Sequence, residues 1–187
     1  LISLPAISQN ASTTFVELLE EDHKSATIKL TLDGFEAQTV QSPEGEAWTV
    51  SIENGTQILD AGAPDLPKIT SSLLIGDDAS MEILIQSVSF TDYENVEIAP
   101  SKGNLYRDTD PGSVPYEYGE FYDQDAFYPK DIVWLRDPYI YRDFRGQTAV
   151  MHPVRYNPVT KVLRVYDEII FTVVQVDGTP QNALVRS

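Results

Sequence analysis

Apolar side chains recur at alternate positions along much of the chain. Within residues 27–32, Ile28, Leu30 and Leu32 alternate with polar residues, which places all three on one face of an extended segment. Residues 81–90 are likewise rich in branched side chains at alternate positions, and no stretch carries a convincing helical period. Short segments of this kind predict an all-β fold, an antiparallel β-sandwich of jelly-roll-like form.

Turn sequences separate the predicted strands. Asp33-Gly34 predicts a hairpin whose returning strand covers residues 35–40, and residues 43–45 and 157–160 predict two further turns. The two prolines in residues 62–67 exclude a helix and favour an extended segment at a sheet edge or crossing between sheets.

The C-terminal part of the chain predicts further strands. Alternate residues of 148–156, with His152 among them, are expected to share one face of a single strand. Residues 162–166 then run back, and residues 169–176 form either a final strand or the continuation of the same one.

Length and composition indicate one folded domain. The 187 residues suffice for a single sizeable core, and a hydrophobic content of 42% argues against intrinsic disorder. We expect one domain over residues 1–187, with a flexible lead-in at 1–12 and a flexible exit at 177–187. Because the first residue is Leu1 rather than methionine, we also expect a processed chain whose signal peptide is already absent.

Acidic residues dominate the charge. The formal net charge is −16 at pH 7 and the isoelectric point is near 4.3, so nucleic acid and anionic membranes would be repelled. No stretch is long and apolar enough to span a bilayer. These features favour a domain that is monomeric when free, or one whose partner presents cationic surface or calcium.

Residues typical of catalytic sites are scarce. The chain has no cysteine, which excludes disulfides, thiolate metal sites and a cysteine nucleophile within these 187 residues. His23 and His152 are the two histidines, and no nucleophile-elbow spacing accompanies them. No pair of carboxylates stands out from the general acidity as an acid–base pair. We therefore expect no enzymatic activity and no cofactor.

Two pairs of aspartates are fragments of the pattern found in calcium loops, namely Asp108 with Asp110 and Asp123 with Asp125. In the first pair Gly112 stands where a third ligand belongs, and the closing glutamate of an EF-hand loop is not in position. We interpret both pairs as solvated acids and predict no metal site.

Residues 98–116 form the most distinctive stretch. Three prolines and two glycines fall within it, and this density predicts a long central loop. The loop carries two cations, Lys102 and Arg107, and two acids, Asp108 and Asp110. Arg107 either pairs with one of these acids on a surface turn or offers its guanidinium to an acidic pocket of a partner.

An aromatic and acidic band follows at residues 116–128. Its rings either line a groove for carbohydrate or peptide, or pin an irregular loop onto a sheet, and we favour the second interpretation.

Two arginines, Arg142 and Arg145, flank Asp143 and Phe144. We interpret them as part of an arginine–aspartate network that anchors the turn before the next strand. The alternative is a contact with a partner.

Several strings in and around the central loop resemble the N-terminal propeptide of arginine-specific gingipain cysteine proteases. Within the loop they are Ala99-Pro-Ser-Lys-Gly103, Arg107, Asp110-Pro111 and Val114-Pro-Tyr116. Outside it they are Gly62-Ala-Pro-Asp-Leu-Pro67, Tyr118-Gly119, Phe127-Tyr-Pro129, Asp137-Pro-Tyr-Ile140, Arg142-Asp-Phe-Arg-Gly-Gln147 and Tyr156-Asn-Pro-Val-Thr-Lys161. The similarity covers about residues 61–176, and the first sixty residues match only weakly.

In that family the propeptide is a secreted β-domain that assists the folding of its protease and keeps it latent. The resemblance implies a prodomain without activity of its own, secreted or in the cell envelope of a Gram-negative bacterium. Its implied partner is the catalytic domain of a gingipain-like cysteine protease. The resemblance also implies that the loop is inhibitory and that Arg107, flanked by Lys102, Tyr106 and Asp108, enters the specificity pocket. Asp108 departs from the family pattern, in which a member carries a small residue at this position.

The sequence leaves two questions open, the role of Arg186 and the function of the domain. Arg186 is either a maturation site, at which an arginine-specific protease separates the prodomain, or an incidental arginine. The domain is either an inhibitor or a non-inhibitory β-sandwich module that binds carbohydrate or protein. A third function is that of a structural N-terminal domain in a gingipain-related secretion-system peptidase.

Overall fold

The computed structural model describes residues 12–185, and within them it shows twelve β-strands and two short 3₁₀ turns. The strands are β1 Thr13–Glu21, β2 Ser25–Asp33, β3 Glu36–Ser42, β4 Gly45–Ser51, β5 Thr56–Gln57, β6 Pro67–Ile75, β7 Ser80–Tyr93, β8 Val133–Leu135, β9 Tyr139–Tyr141, β10 Phe144–Met151, β11 Val154–Asn157 and β12 Val162–Val176. The 3₁₀ turns cover Pro111–Ser113 and Glu120–Asp123. No helix in the described part of the chain is long and apolar enough to cross a membrane.

The strands form two five-stranded sheets, and the predicted all-β antiparallel fold is confirmed. In the first sheet the order is β1-β2-β12-β11, and β7 also pairs with β12. In the second sheet the order is β5-β6-β10-β8, and β9 pairs with β10. Strands β3 and β4 form a separate two-stranded hairpin. Every pair of neighbouring strands among these is antiparallel.

The hydrophobic core is built from both sheets. Its members include Ile28, Leu30 and Leu32 of β2, Ile169 and Phe171 of β12, and Ala149 and Met151 of β10, none of which is more than 3% exposed. Since successive side chains of a strand point to opposite faces, the alternation predicted for residues 27–32 is confirmed. Tyr156 is also buried, and its hydroxyl donates to the Val96 carbonyl oxygen at 2.8 Å.

The hairpin predicted at Asp33-Gly34 is wrong. Strand β2 pairs with β1 and β12, whereas β3 pairs with β4, so the chain leaves the first sheet at this turn. The side chain of Phe35 is buried, and its ring meets that of Tyr93 edge to face at 5.3 Å. Burial of this ring beside β7 overrides the local turn signal. The other two predicted turns are confirmed, because they join β3 to β4 and β11 to β12.

The single strand predicted over residues 148–156 is also wrong. Strands β10 and β11 belong to different sheets, and the chain crosses between them at His152-Pro153. Pro153 has no backbone N–H with which to continue a ladder, and the His152 N–H donates to the Ile132 carbonyl oxygen at 2.8 Å. Strand β12, by contrast, continues past Asp167 with a bulge, so the continuous-strand alternative is confirmed.

Arg145 has a different role from the network predicted for it. Its side chain is 1% exposed, and its guanidinium donates four hydrogen bonds to backbone carbonyl oxygens. Two acceptors, Gly76 and Ala79, lie between β6 and β7, at 2.8 and 2.6 Å. The other two, Gln181 and Asn182, follow β12, at 2.5 and 3.0 Å. A buried guanidinium needs acceptors for its donors, and Arg145 obtains them by joining three segments of the chain.

The exit segment expected to be flexible at residues 177–187 is anchored in its described part. Besides the two contacts with Arg145, the Leu184 N–H donates to the Asp77 carbonyl oxygen at 2.8 Å. The side-chain amide of Asn182 donates to the Pro138 carbonyl oxygen at 2.7 Å. These bonds hold the segment against the sandwich as far as residue 184.

The lead-in expected at residues 1–12 lies outside the described residues except for Ser12. The Ser12 hydroxyl accepts a hydrogen bond from the Glu53 N–H at 2.6 Å, so the chain is already bound to the domain at this point. The assignment of residues 1–187 to one domain stays a prediction.

Replacing Arg145 by methionine should destabilise the domain strongly. The substitution removes all four hydrogen bonds of a buried side chain and leaves the buried Ala79 carbonyl oxygen without this donor, so we expect the free energy of unfolding to fall by about 3 kcal/mol or more. Urea unfolding followed by tryptophan fluorescence measures this loss. Arg142→Met, at an exposed arginine, is the matched control and should change it by less than about 0.5 kcal/mol. Equal midpoints for the two variants would contradict the anchoring role.

The imidazole of His152 is buried where the chain crosses between sheets. Burial lowers the pKa of His152 from its ordinary value of 6.5, because the charged form is poorly solvated there. Arg155 and Lys68 lower this pKa further, whereas a hydrogen bond of 2.6 Å to the Asp131 carbonyl oxygen opposes the shift. The folded domain therefore favours the neutral imidazole.

Replacing His152 by glutamine should flatten the pH dependence of stability. In the unfolded wild-type chain, His152 becomes protonated as the pH falls below the ordinary histidine pKa of 6.5. The unfolded state then binds more protons than the folded state, so the stability of the domain declines. The contribution of neutral His152 to the free energy of unfolding is fully present above that pKa. We expect the glutamine variant to lose less unfolding free energy than wild type between about pH 7 and pH 5. Urea titrations at each pH measure the slope, and identical slopes would count against a neutral folded histidine.

Candidate functional site: an exposed arginine on an anchored loop

The loop of residues 98–116 leaves the sandwich at a buried main-chain pairing. Ile98 forms a parallel bridge with Trp48, closed by two main-chain hydrogen bonds of 2.8 Å. On the other side Pro100 lies opposite Pro64, and three main-chain hydrogen bonds of 2.7 to 3.0 Å flank this contact. The extended segment predicted around Pro64 thus forms one wall of the loop base.

Lys102 links the two ends of the loop. Its ammonium donates to the Pro111 carbonyl oxygen at 2.7 Å and lies 4.2 Å from the centre of the Tyr116 ring. Gly103 follows with a φ of 74°, and a Cβ atom there would lie 2.9 Å from the Cβ of Ala61. Both the conformation and the close approach therefore require glycine where the chain turns out of the base.

Arg107 lies at the tip of the loop. The Thr109 N–H donates to the Tyr106 carbonyl oxygen at 3.0 Å, which closes a four-residue turn with Arg107 at its second position. Arg107 is exposed, and Tyr106 beside it is 84% exposed. Within residues 12–185 the Arg107 guanidinium has no hydrogen-bond, ion-pair or ring partner, so it pairs with neither Asp108 nor Asp110.

Asp110 shapes the returning side of the loop. Its side-chain Oδ1 accepts from the Gly112 N–H at 3.0 Å. Its carbonyl oxygen accepts from the Ser113 N–H at 3.0 Å and from the Ser113 hydroxyl at 2.7 Å. Asp110 thereby caps the first 3₁₀ turn, which explains an acid at this position without a metal ion.

The four weak calcium candidates were Asp108, Asp110, Asp123 and Asp125. Asp125 accepts a hydrogen bond from the side-chain amide of Asn157 at 2.9 Å, and Asp108 and Asp123 are exposed. Over the described residues no cluster of three or more histidine, cysteine, aspartate or glutamate side chains is placed to hold a metal ion. The structure adds no support for calcium at these aspartates.

The aromatic band at residues 116–128 braces the loop base. The Tyr122 hydroxyl donates to the Ile98 carbonyl oxygen at 2.8 Å, and its ring meets that of Tyr118 edge to face at 4.6 Å. Burial raises the pKa of Tyr122 and also that of Tyr128, whose main chain bridges to β11. The interpretation of this band as an irregular segment pinned by its rings is confirmed.

Sequence reasoning found the loop and its arginine but missed what holds them. The contact between Lys102 and Pro111 depends on where the loop returns, and no local pattern encodes that. Pro64 was predicted to lie in an extended segment and Pro100 in the loop, but neither pattern shows that the two residues lie opposite each other. Arg186 lies outside the described residues, so its role in processing stays a prediction.

Comparison with known sequences identifies a family. The chain matches the family model Propeptide_C25 over residues 8–184. It is 39% identical to gingipain R1 of Porphyromonas gingivalis over 170 residues, which are 90% of this chain and 17% of that protein. It is 36% identical to gingipain R2 of the same species over 169 residues, which are 90% of this chain and 23% of that protein. The chain thus spans less than a quarter of the length of these relatives.

Two solved structures share the fold. The complex of the RgpB pro- and mature domains of P. gingivalis matches with a TM-score of 0.88 and 36% identity, over 91% of this chain and 88% of that chain. A structure concerned with the zymogenic latency of gingipain K matches with a TM-score of 0.73 and 18% identity, over 89% of this chain and 100% of that chain. The second match supports the fold alone. The family model and the identity to the two gingipains together establish that this chain belongs to the Propeptide_C25 family.

Proposed function

We propose that this domain is the propeptide of an arginine-specific, gingipain-like cysteine protease and keeps that protease latent by occupying its active-site cleft. The observation that carries the proposal is the exposed Arg107 guanidinium, which has no partner within residues 12–185 and lies at the tip of an anchored loop. Membership of a propeptide family and the match to a complex of pro- and mature domains support it. In this role the domain has no enzymatic activity of its own.

The chemistry of arginine recognition explains the choice of residue. A protease selective for arginine needs an acidic pocket, and guanidinium pairs with a carboxylate through two parallel hydrogen bonds. Cleavage additionally requires the scissile carbonyl to lie against the nucleophile and the oxyanion donors. A loop held at its base fills the pocket while keeping that carbonyl out of line, or is cut and remains bound. Either outcome blocks access of other substrates.

A wider surface contributes to affinity and to folding. Interface energy is concentrated in a few residues, but those residues need surrounding contacts that exclude water. The net charge of −16 favours a cationic surface on the catalytic domain and accelerates encounter with it. Because the domain binds the native protease and not the unfolded chain, it shifts the folding equilibrium of the protease towards the native state.

We infer that the protein follows the secretory route of a Gram-negative bacterium, as a secreted or envelope-associated zymogen, and its identity to gingipains supports this. In this role, an arginine-specific protease separates the propeptide from the catalytic domain by cleaving the peptide bond after Arg186. The anchored part of the chain supports this position, since Leu184 is hydrogen-bonded to Asp77 and Val185 is 87% exposed. Cleavage two residues beyond Leu184 would leave the sandwich intact.

Replacing Arg107 by alanine should weaken inhibition of an arginine-specific gingipain-type protease by about 30-fold or more, the effect of removing a hot-spot residue of about 2 kcal/mol. Arg107→Lys should weaken it less, because lysine keeps the charge but loses the paired hydrogen bonds. Arg142→Ala, at a second exposed arginine, is the control and should inhibit like wild type. Inhibition constants measured with a small arginyl substrate decide the result.

Other outcomes of this experiment favour other functions. Equal inhibition by wild type and Arg107→Ala would retain the propeptide role and contradict the pocket contact. Absence of inhibition by the wild-type chain, together with glycan binding, would favour the carbohydrate module. Absence of inhibition by a domain that stays attached to its own catalytic domain would favour the secretion-system peptidase.

Replacing Asp108 by alanine should make the loop a better substrate. Asp108 follows Arg107, so it places a carboxylate on the leaving-group side of the bond that the protease would cut. Removing a charge near the catalytic groups should accelerate cleavage about fivefold, the factor for about 1 kcal/mol between unit charges at 4 Å in water. Mass spectrometry of timed digests measures the rate, and an unchanged rate would discard the idea.

A further inference from the structure

The two cations of the loop are used in different ways. Arg107 has no partner in the described structure, whereas the Lys102 ammonium is bound twice, to the Pro111 carbonyl oxygen at 2.7 Å and over the Tyr116 ring at 4.2 Å. The bond to Pro111 spans nine residues, while the bonds at the tip and at Asp110 span two or three. Lys102 therefore supplies the contact that joins the outgoing side of the loop to the returning side.

Removing the Lys102 contact would nearly double the length of the free loop. With the contact, the segment between the joined residues is 103–110. Without it, the next main-chain anchor on the returning side is Gly119, whose N–H donates to the Gly62 carbonyl oxygen at 2.9 Å. The Tyr118 hydroxyl is also hydrogen-bonded to the Ser42 hydroxyl at 2.8 Å, so the free segment would then cover residues 103–117. A longer free loop has more conformations to lose on binding, and loss of that freedom weakens association.

We propose that Lys102 is a positioning residue of the inhibitory loop, which holds the turn carrying Arg107 in its binding conformation and so makes it an inhibitor rather than a substrate. This inference rests on the proposed function. Lys102 acts through the loop and does not itself enter the specificity pocket. A preorganised loop binds without being ordered first, and it resists the rearrangement that would bring the Arg107 carbonyl into line for attack.

The covalent step that Lys102 opposes is hydrolysis of the Arg107–Asp108 peptide bond. One water is consumed, Arg107 gains a free carboxylate and Asp108 gains a free amine. Because Lys102 and Pro111 lie on opposite sides of this bond, their contact keeps both new ends close together after the cut. Lys102 therefore slows two events, the cleavage of the loop and the departure of its cleaved ends.

The test compares three variants of the 187-residue chain. Lys102→Met removes the ammonium, and with it the contacts with Pro111 and with the Tyr116 ring, while it keeps most of the aliphatic chain. Lys102→Arg restores a cationic donor that can reach a carbonyl oxygen and stack on a ring, so it is the rescue variant. Lys29→Met is the matched control, because Lys29 pairs with Glu168 at 2.7 Å on the first sheet, away from the loop.

Each variant is characterised by two measurements. Amide hydrogen exchange of the free domain reports the order of residues 103–117 without any protease. Incubation with an arginine-specific gingipain-type protease reports the rate of cleavage after Arg107 by mass spectrometry and the duration of inhibition. We expect Lys102→Met to exchange faster within residues 103–117 and nowhere else, and to be cleaved about tenfold faster, the factor for one hydrogen bond from a charged donor. Lys102→Arg should return both values towards wild type, and Lys29→Met should change neither.

The outcomes separate this inference from the proposed function. Unchanged exchange and cleavage in Lys102→Met would overturn the positioning role while leaving the inhibitory function intact. Faster exchange with unchanged cleavage would also overturn the positioning role, because the contact would then order the loop without slowing its cleavage. If the wild-type chain fails to inhibit, the proposed function falls and the positioning role falls with it, whatever the exchange shows about loop order.

Discussion

The pairing of β12 with three other strands is the interaction on which the rest of the domain depends. Its register with β7 runs from Val176 opposite Ser80 to Leu163 opposite Tyr93, so β7 ends beside the start of β12. The chain is held again three residues after β7, where Val96 accepts the Tyr156 hydroxyl and donates to the Lys161 carbonyl oxygen. The central loop consequently leaves the sandwich from a fixed and buried point.

The arginines of this acidic domain differ in whether their guanidinium groups have partners within the domain. It has 13 lysine and arginine residues against 29 aspartate and glutamate residues, so cations have many internal acceptors available. Arg145 is buried among carbonyl oxygens, and Arg164 forms two hydrogen bonds of 2.8 Å with Asp92. Arg107 remains outside all such contacts in the described residues, on a loop that is held at both sides. Rigid presentation of an unsatisfied guanidinium is what a specificity pocket for arginine requires.

Sequence patterns predicted the features that depend on neighbouring residues. The alternation around Leu30 and the presence of a proline-rich loop carrying Arg107 both follow from local chemistry. The patterns failed where a distant partner decides. The Asp33-Gly34 turn joins strands of different sheets, since burial of the next ring outweighs hairpin geometry. The partners of Lys102 and Arg145 lie across the fold, so their roles were visible only in three dimensions.

In the function proposed above, the loop occupies the active-site cleft of an arginine-specific cysteine protease. The most direct test is labelling of the catalytic cysteine by a small arginine-bearing covalent probe, with and without this domain at saturating concentration. We expect the domain to slow labelling, and we expect a higher probe concentration to overcome this effect competitively. If a protease that demonstrably carries the bound domain is labelled at an undiminished rate, the cleft is open and the loop does not occupy it.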